Sequence, residues 1–134
     1  FAHRISEDIL FKINDLKHQK NIPDWNAEGT TEPQEMILIT QSIKELKEIM
    51  SNYVGIVRSN VRLKRALDRL YILYKETEEL YHNTTLSPQL CEARNLITIA
   101  YLISRCAAVR RESRGLHFTT DYPNENPFLQ DSVI

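Results

Sequence analysis

Apolar residues that recur every three or four positions, in four separate stretches, leave this chain few choices other than helices. Successive residues of an α-helix are turned by about 100°, so this spacing gathers them on one face, whereas a half-buried strand requires strict alternation. In the first stretch Ala2, Ile5, Ile9, Ile13 and Leu16 share a side. The second carries Met36, Ile39, Ile43, Leu46, Met50 and Tyr53. A third, from about Asn60 to Tyr81, presents Leu63, Ala66, Leu67, Leu70, Leu73, Tyr74, Thr77 and Leu80, and a fourth presents Leu90, Ala93, Ile97, Ala100, Ile103 and Ala107. Only three glycines and five prolines occur in 134 residues, and they cluster at the joints, which disfavours a turn-rich β fold.

The joints carry their own signals. Pro23 disfavours helix in the residue before it, so the first helix is expected to stop before Asn21. The polar stretch to Thr31 reads as a loop with Trp25 as an anchor. Thr31-Glu32-Pro33-Gln34 has the form of a capping box with proline in the first turn, and Ser87-Pro88 that of an N-cap followed by proline at the first helical position. Gly55 should weaken or bend the second helix. Short joints between the last three helices favour antiparallel neighbours. The expected fold is all-α: a three-helix antiparallel bundle, preceded by a short helix and followed by an irregular C-terminal tail. The expected division is 1–20 as the end of another domain's last helix, 21–32 as linker, 33–111 as bundle, and 112–134 as docking loop and tail.

Charge narrows the function. A formal net charge of −1 offers no general attraction to nucleic acid or an anionic membrane, and no apolar run approaches a bilayer span. Charges interrupt Phe1-Ala2-His3-Arg4-Ile5-Ser6-Glu7-Asp8 at once, so it is no signal peptide. It reads as mid-helix, and a parent chain extending upstream is expected. Cys91 and Cys106 lie on one helix, about 22 Å apart at 1.5 Å per residue, too far to bridge, and fit a reducing cytoplasm as small core residues. Asn83-Thr84-Thr85 has the glycosylation-acceptor form but reads as loop polarity.

The chain contains neither a G-x-G-x-x-G nor a P-loop, and His3, His18, His82 and His117 are too dispersed to suggest a metal site. Glu45, Glu48, Glu76, Glu78 and Glu79 fall mainly on faces away from the apolar stripes, as solvated helix surface does. Arg62, Arg65 and Arg69 share one face, while Arg105, Arg110, Arg111 and Arg114 crowd the end of the fourth helix, where cations suit the helix dipole. Both groups could pair with carboxylates or phosphates. The densest signal is the stretch from Arg110 to Pro123, which packs charged, aromatic and turn-forming residues without periodicity. It reads as a docking loop with little core of its own, and the end after Pro123 is not expected to hold order alone.

That stretch, Arg110-Arg111-Glu112-Ser113-Arg114-Gly115-Leu116-His117-Phe118-Thr119-Thr120-Asp121-Tyr122-Pro123, resembles the signature near the end of L-aspartate oxidases, in the succinate dehydrogenase and fumarate reductase flavoprotein superfamily. Asn52–Arg58 with Arg62–Ala66 resembles the family's turn into its second bundle helix, Glu92–Ile97 running to Arg105–Ala107 its last helix, and Phe1–Arg4 with Glu7–Ile9 the end of its flavin-domain helix. Leu116 after Gly115, and Phe118-Thr119-Thr120 between His117 and Asp121, fit the aspartate oxidase version, although Thr120 stands where many members carry Leu. The resemblance implies an FAD enzyme that takes a hydride from the α-carbon of L-aspartate to give iminoaspartate, opening NAD biosynthesis. The reduced flavin would pass electrons to oxygen or fumarate, and quinolinate synthase would consume the imine. In that family the FAD fingerprint, the substrate-clamping arginines and the capping domain lie upstream, so no catalytic, cofactor-binding or metal residue is assigned here. Arg58, Glu112, Ser113, Arg114, Gly115, His117 and Asp121 are instead expected to dock the bundle onto the flavin-binding and capping domains. The alternatives are the equivalent domain of a succinate dehydrogenase or fumarate reductase flavoprotein, or a freestanding helical module presenting Arg62, Arg65 and Arg69.

Overall fold

The computed structural model describes residues 2–13, 23–24, 26–31 and 36–128. It is predominantly helical, with α1 (Ala2–Lys12), α2 (Met36–Tyr53), α3 (Asn60–Asn83) and α4 (Pro88–Val109), and two strands of two residues each, β1 (Val57–Arg58) and β2 (Phe118–Thr119). The expected capping box after Thr31, the anchor Trp25, Leu16 and the end of the chain beyond Phe128 lie outside the described residues.

The longest helices begin where side-chain chemistry makes beginning cheap. Ser59 is extended and its hydroxyl accepts the Arg62 N–H, while Ser87 does the same for the Leu90 N–H with Pro88 behind it. Asn60 at the start of α3 also donates its N–H to the Asp121 carboxylate at 2.8 Å, a negative charge at the positive end of the helix. Helix α3 ends as Thr84 returns both its N–H and its hydroxyl to the Leu80 carbonyl. The same turn is held from outside, because Thr31 donates to Asn83 O and accepts from Thr85 N–H in an isolated parallel bridge.

Helices α2, α3 and α4 each pack on the other two. Leu46, Ile49, Val54, Leu63, Ala66, Leu70, Leu73, Ile97, Ala100 and Ala107 form the main core, and Ile39, Leu90 and Ala93 a smaller one. Fully burying one of these leucines is worth about 1.5–3 kcal/mol. Ala66, Ala93 and Ala100 keep the helix surfaces close where bulkier side chains would hold them apart. The predicted stripes of α2, α3 and α4 are largely the buried ones, although Met36 at the start of α2 is exposed and three further positions differ in phase. Ile49 joins the core of α2, Tyr74 of α3 is exposed, and in α4 Ile103 points outward while Ser104 is wholly buried. Ser104 can take that position because its hydroxyl reaches Met50 Sδ at 3.9 Å.

Helix α1 differs from the other three. Its apolar Ile5, Ile9, Leu10 and Phe11 are all exposed, and so is Ile13 just beyond it. Glu78 is a correction to the reading of the glutamates as solvated surface. Its side chain is 17% exposed and is paired with Arg94 across α3 and α4, with the guanidinium also stacked 4.4 Å from the Tyr81 ring. The hydrogen bonds from Arg94 hold the Glu78 carboxyl below its usual range, and the pairing raises Arg94 in return.

Candidate functional site

After α4 the chain reverses and folds onto the α2–α3 joint, and this brings all seven sequence-selected residues into one network. β2 pairs with β1 in parallel, with Val57 opposite Phe118 and Arg58 opposite Thr119, and Thr120 adds its N–H to the Arg58 carbonyl at 3.0 Å. A parallel pair needs a long connection, here the whole of α3 and α4.

Arg58 anchors the joint. Its Nε shares a proton between the Val54 and Gly55 carbonyls, and its Nη1 lies 2.6 Å from His117 Nδ1. A guanidinium only donates, so Nδ1 accepts, and the other ring nitrogen carries the hydrogen that reaches the Arg110 carbonyl at 3.3 Å. His117 is thereby a neutral tie between the α2–α3 joint and the end of α4. Burial, reinforced by the Arg58 charge, holds its pKa below the ordinary 6.5. Burial also lowers Arg58.

Glu112 is the second node, with 5% of its surface exposed. It takes the Asn126 N–H at 3.0 Å, Arg114 Nε at 3.2 Å and Arg110 Nη1 at 3.2 Å. The Asn126 N–H, then Arg114, keep this carboxyl ionised below its usual range despite the burial. Arg114 spends its remaining donors on the Asn126 carbonyl and the Glu125 carboxylate. Ser113, also buried, accepts the Thr119 N–H at 3.0 Å and directs its hydroxyl to the Tyr122 and Thr119 carbonyls, while its own N–H goes to Asn124 O.

Gly115 makes the reversal possible. Arg114 and His117 exchange both backbone hydrogen bonds around a two-residue turn, and Gly115 at its first central position has φ +58°. Positive φ there alone is the pattern of a type II′ turn, which glycine adopts without penalty. A Cβ at Gly115 would meet nothing within 4 Å, so the backbone, not crowding, requires glycine.

The loop therefore departs from its expected character in two ways. Its Glu112, Ser113, Arg114 and His117 side chains bond within this chain, and Asn124 and Asn126, beyond Pro123, belong to the network. Sequence reasoning missed Thr119, which is 2% exposed, and the backbone partners supplied by Asn60, Asn124 and Asn126. Beside exposed polar residues such as Arg111, Asp121 and Glu125, the loop turns outward two large apolar side chains, Leu116 at the turn and Phe118, with Ile56 and Val57 beside them on the joint. The arginine face is partly engaged, with Arg62 on the Val57 carbonyl and Arg69 paired with Glu45. Among the described residues no three of His, Cys, Asp and Glu are placed to hold a metal ion, and no helix is long and apolar enough to cross a membrane. The free thiols Cys91 and Cys106 are half-buried on α4.

The family described as fumarate reductase flavoprotein C-term matches residues 43–134, and this chain belongs to it. Within that class the similarity runs to L-aspartate oxidases. That of Yersinia pestis is 46% identical over 124 residues, covering 91% of this chain and 23% of the relative, and that of Pseudomonas aeruginosa is 40% identical over 134 residues, covering 100% and 25%. The chloroplastic L-aspartate oxidase of Oryza sativa is 46% identical over 97 residues, 69% of this chain and 14% of its own. The chain thus spans about a quarter of the length of the bacterial relatives it matches. The flavin implied by the family finds no cradle among the described residues, since Gly29, Gly55 and Gly115 sit in separate turns and the strands are two residues long.

Proposed function

We propose that this chain is the C-terminal helical domain of an FAD-dependent L-aspartate oxidase that converts L-aspartate to iminoaspartate, the first step of NAD biosynthesis. The similarity to proteins of that name along 91–100% of the chain carries this reading. In it, residues 33–111 form an antiparallel three-helix bundle, residues 1–20 end the last helix of the flavin-binding domain, and 21–32 link the two. The domain contributes no reacting group. It packs on the flavin-binding and capping domains of the same chain, which hold FAD, in the cytoplasm, and quinolinate synthase takes the product.

The Arg58–His117 and Glu112–Arg114 contacts, with Ser113, Gly115 and Asp121, fix the shape of the loop. Held in that shape, it presents Leu116 and Phe118 to the flavin-binding side as the docking contact. Exposed apolar residues on a loop whose Arg58, Glu112, Ser113, Arg114 and His117 side chains are hydrogen-bonded within the chain support this, because less ordering entropy then opposes docking. The test is the full-length protein with L-aspartate and with succinate. Oxidation of aspartate, with flavin reduced, supports the reading. Activity on succinate alone replaces it with the second one, a succinate dehydrogenase or fumarate reductase flavoprotein, which the family description favours. The docking role is tested by Leu116→Asp in that protein, which should weaken flavin retention; unaltered retention and melting temperature would remove the loop from the contact.

A further inference from the structure

The core side of α4 is formed by Leu90, Ala93, Ile97, Ala100, Ser104 and Ala107. At 100° per residue, Ile99 and Leu102 fall on the opposite side and Ile103 on its flank, and they are 54%, 47% and 44% exposed. A helix of a monomeric bundle needs only one apolar face, so a second one on the same helix is unexplained by the fold. The surface continues onto α3 through a shallow cleft lined by Tyr71, Tyr74, Thr98 and Tyr101. Lys64, Asp68 and Arg105 stand at its edge. Tyrosines and aliphatics at the centre, with charges of both signs around them, is the anatomy of a protein interface rather than of solvated surface.

We infer that the outward face of α4 and its tyrosine cleft with α3 is the principal seat of the flavin-binding part of the parent enzyme, separate from the C-terminal loop. The inference rests on the reading that this chain is one domain of a longer flavoprotein. The bacterial relatives carry roughly three further quarters of chain for each quarter matched here. A partner tethered in the same chain acts at an effective concentration of about millimolar, which a second copy in free solution does not reach. The balanced rim suits such a contact, since it neither repels nor demands one sign of charge.

Hydroxyl-radical footprinting of the full-length flavoprotein tests this directly. Tyr71, Tyr101 and Leu102 should label as slowly as the core residues Leu63 and Leu70; labelling as fast as in the urea-unfolded enzyme would overturn the proposal. Protection that disappears on dilution would also overturn it, because the occupant would then be a second copy. Leu102→Ser should lower the temperature at which flavin is released, while the already exposed position spares the bundle; unchanged release would count against the seat. A full-length protein that neither holds flavin nor oxidises aspartate would instead defeat the underlying reading. An aspartate-oxidising enzyme whose α3–α4 face labels freely defeats this inference alone.

Discussion

The helical core and the loop that closes it are stabilised by opposite kinds of interaction. Between α2, α3 and α4 the stabilisation comes from apolar area removed from water, which is indifferent to direction and tolerant of exchange among similar side chains. In residues 110–128 it comes from directed contacts, in which Glu112, Ser113, Arg114 and His117 each bond several partners within a few residues of one another. The core should therefore lose stability gradually with volume. The loop should fail when a single donor or acceptor is left without its partner, since an unmade buried hydrogen bond costs more than a made one contributes.

The sharpest way to break the comparison is from the core side. Leu70→Ala should cost about 2–5 kcal/mol in urea unfolding, with Leu70→Met far milder. A cost for Leu70→Ala below that of every loop variant would invert the picture. Next, Ser113→Ala removes a hydroxyl without adding volume and leaves the Thr119 N–H unmatched, for an expected cost of about 1–3 kcal/mol. Hydrogen exchange should show the loss in amides 113–124 while those of Leu63–Leu73 stay protected; uniform loss would mean that the two regions open as one.

Gly115→Ala should cost about 1–2 kcal/mol through backbone conformation alone, and Gly115→Asn less, measured by thermal melting. Equal costs would assign the effect to crowding, which the open space around Gly115 argues against. Acid should separate the regions further. Because the folded pKa of His117 lies below 6.5, the stability it contributes is complete above pH 6.5 and is lost as the pH falls through the folded value. Glu78 and Glu112, also lowered, add a further loss at more acidic pH. His117→Gln should flatten the first part of that profile, and an unchanged profile would exclude His117 as its source. The smallest effect is expected at Asp68, whose exposed pair with Lys64 should contribute no more than about 0.5 kcal/mol when Asp68→Ala is compared by urea unfolding.

The two regions also differ in what could be read beforehand. Spacing disclosed the buried faces of α3 and α4, because periodicity is a property of side chains alone. Ser59 and Ser87 differ in this respect: the N-cap at Ser87 was visible through Pro88, whereas Ser59 lacked so plain a marker. The exchange of Ile103 for Ser104 was hidden, since it depends on Met50 being within reach of the hydroxyl. In the loop the important side chains stood out by density and lack of period, and all seven are found together. Their partners did not, because many are backbone groups such as the carbonyls of Arg110, Asn124 and Asn126, which every sequence possesses. That is why the bonds made within the chain could not be read beside the docking role.

The parallel pairing of β1 with β2 has a consequence for how the molecule is made. Val57 and Arg58 leave the ribosome long before Phe118 and Thr119, with both long helices in between. Until those last residues emerge, the carbonyl of Arg58 and its guanidinium lack their loop partners, and the start of α3 lacks the Asp121 carboxylate. Closing so distant a contact costs less loop-closure entropy once α3 and α4 have come together. The loop's bonds thus wait on the last part of the chain to be synthesised, and assembled helices make them cheaper to close.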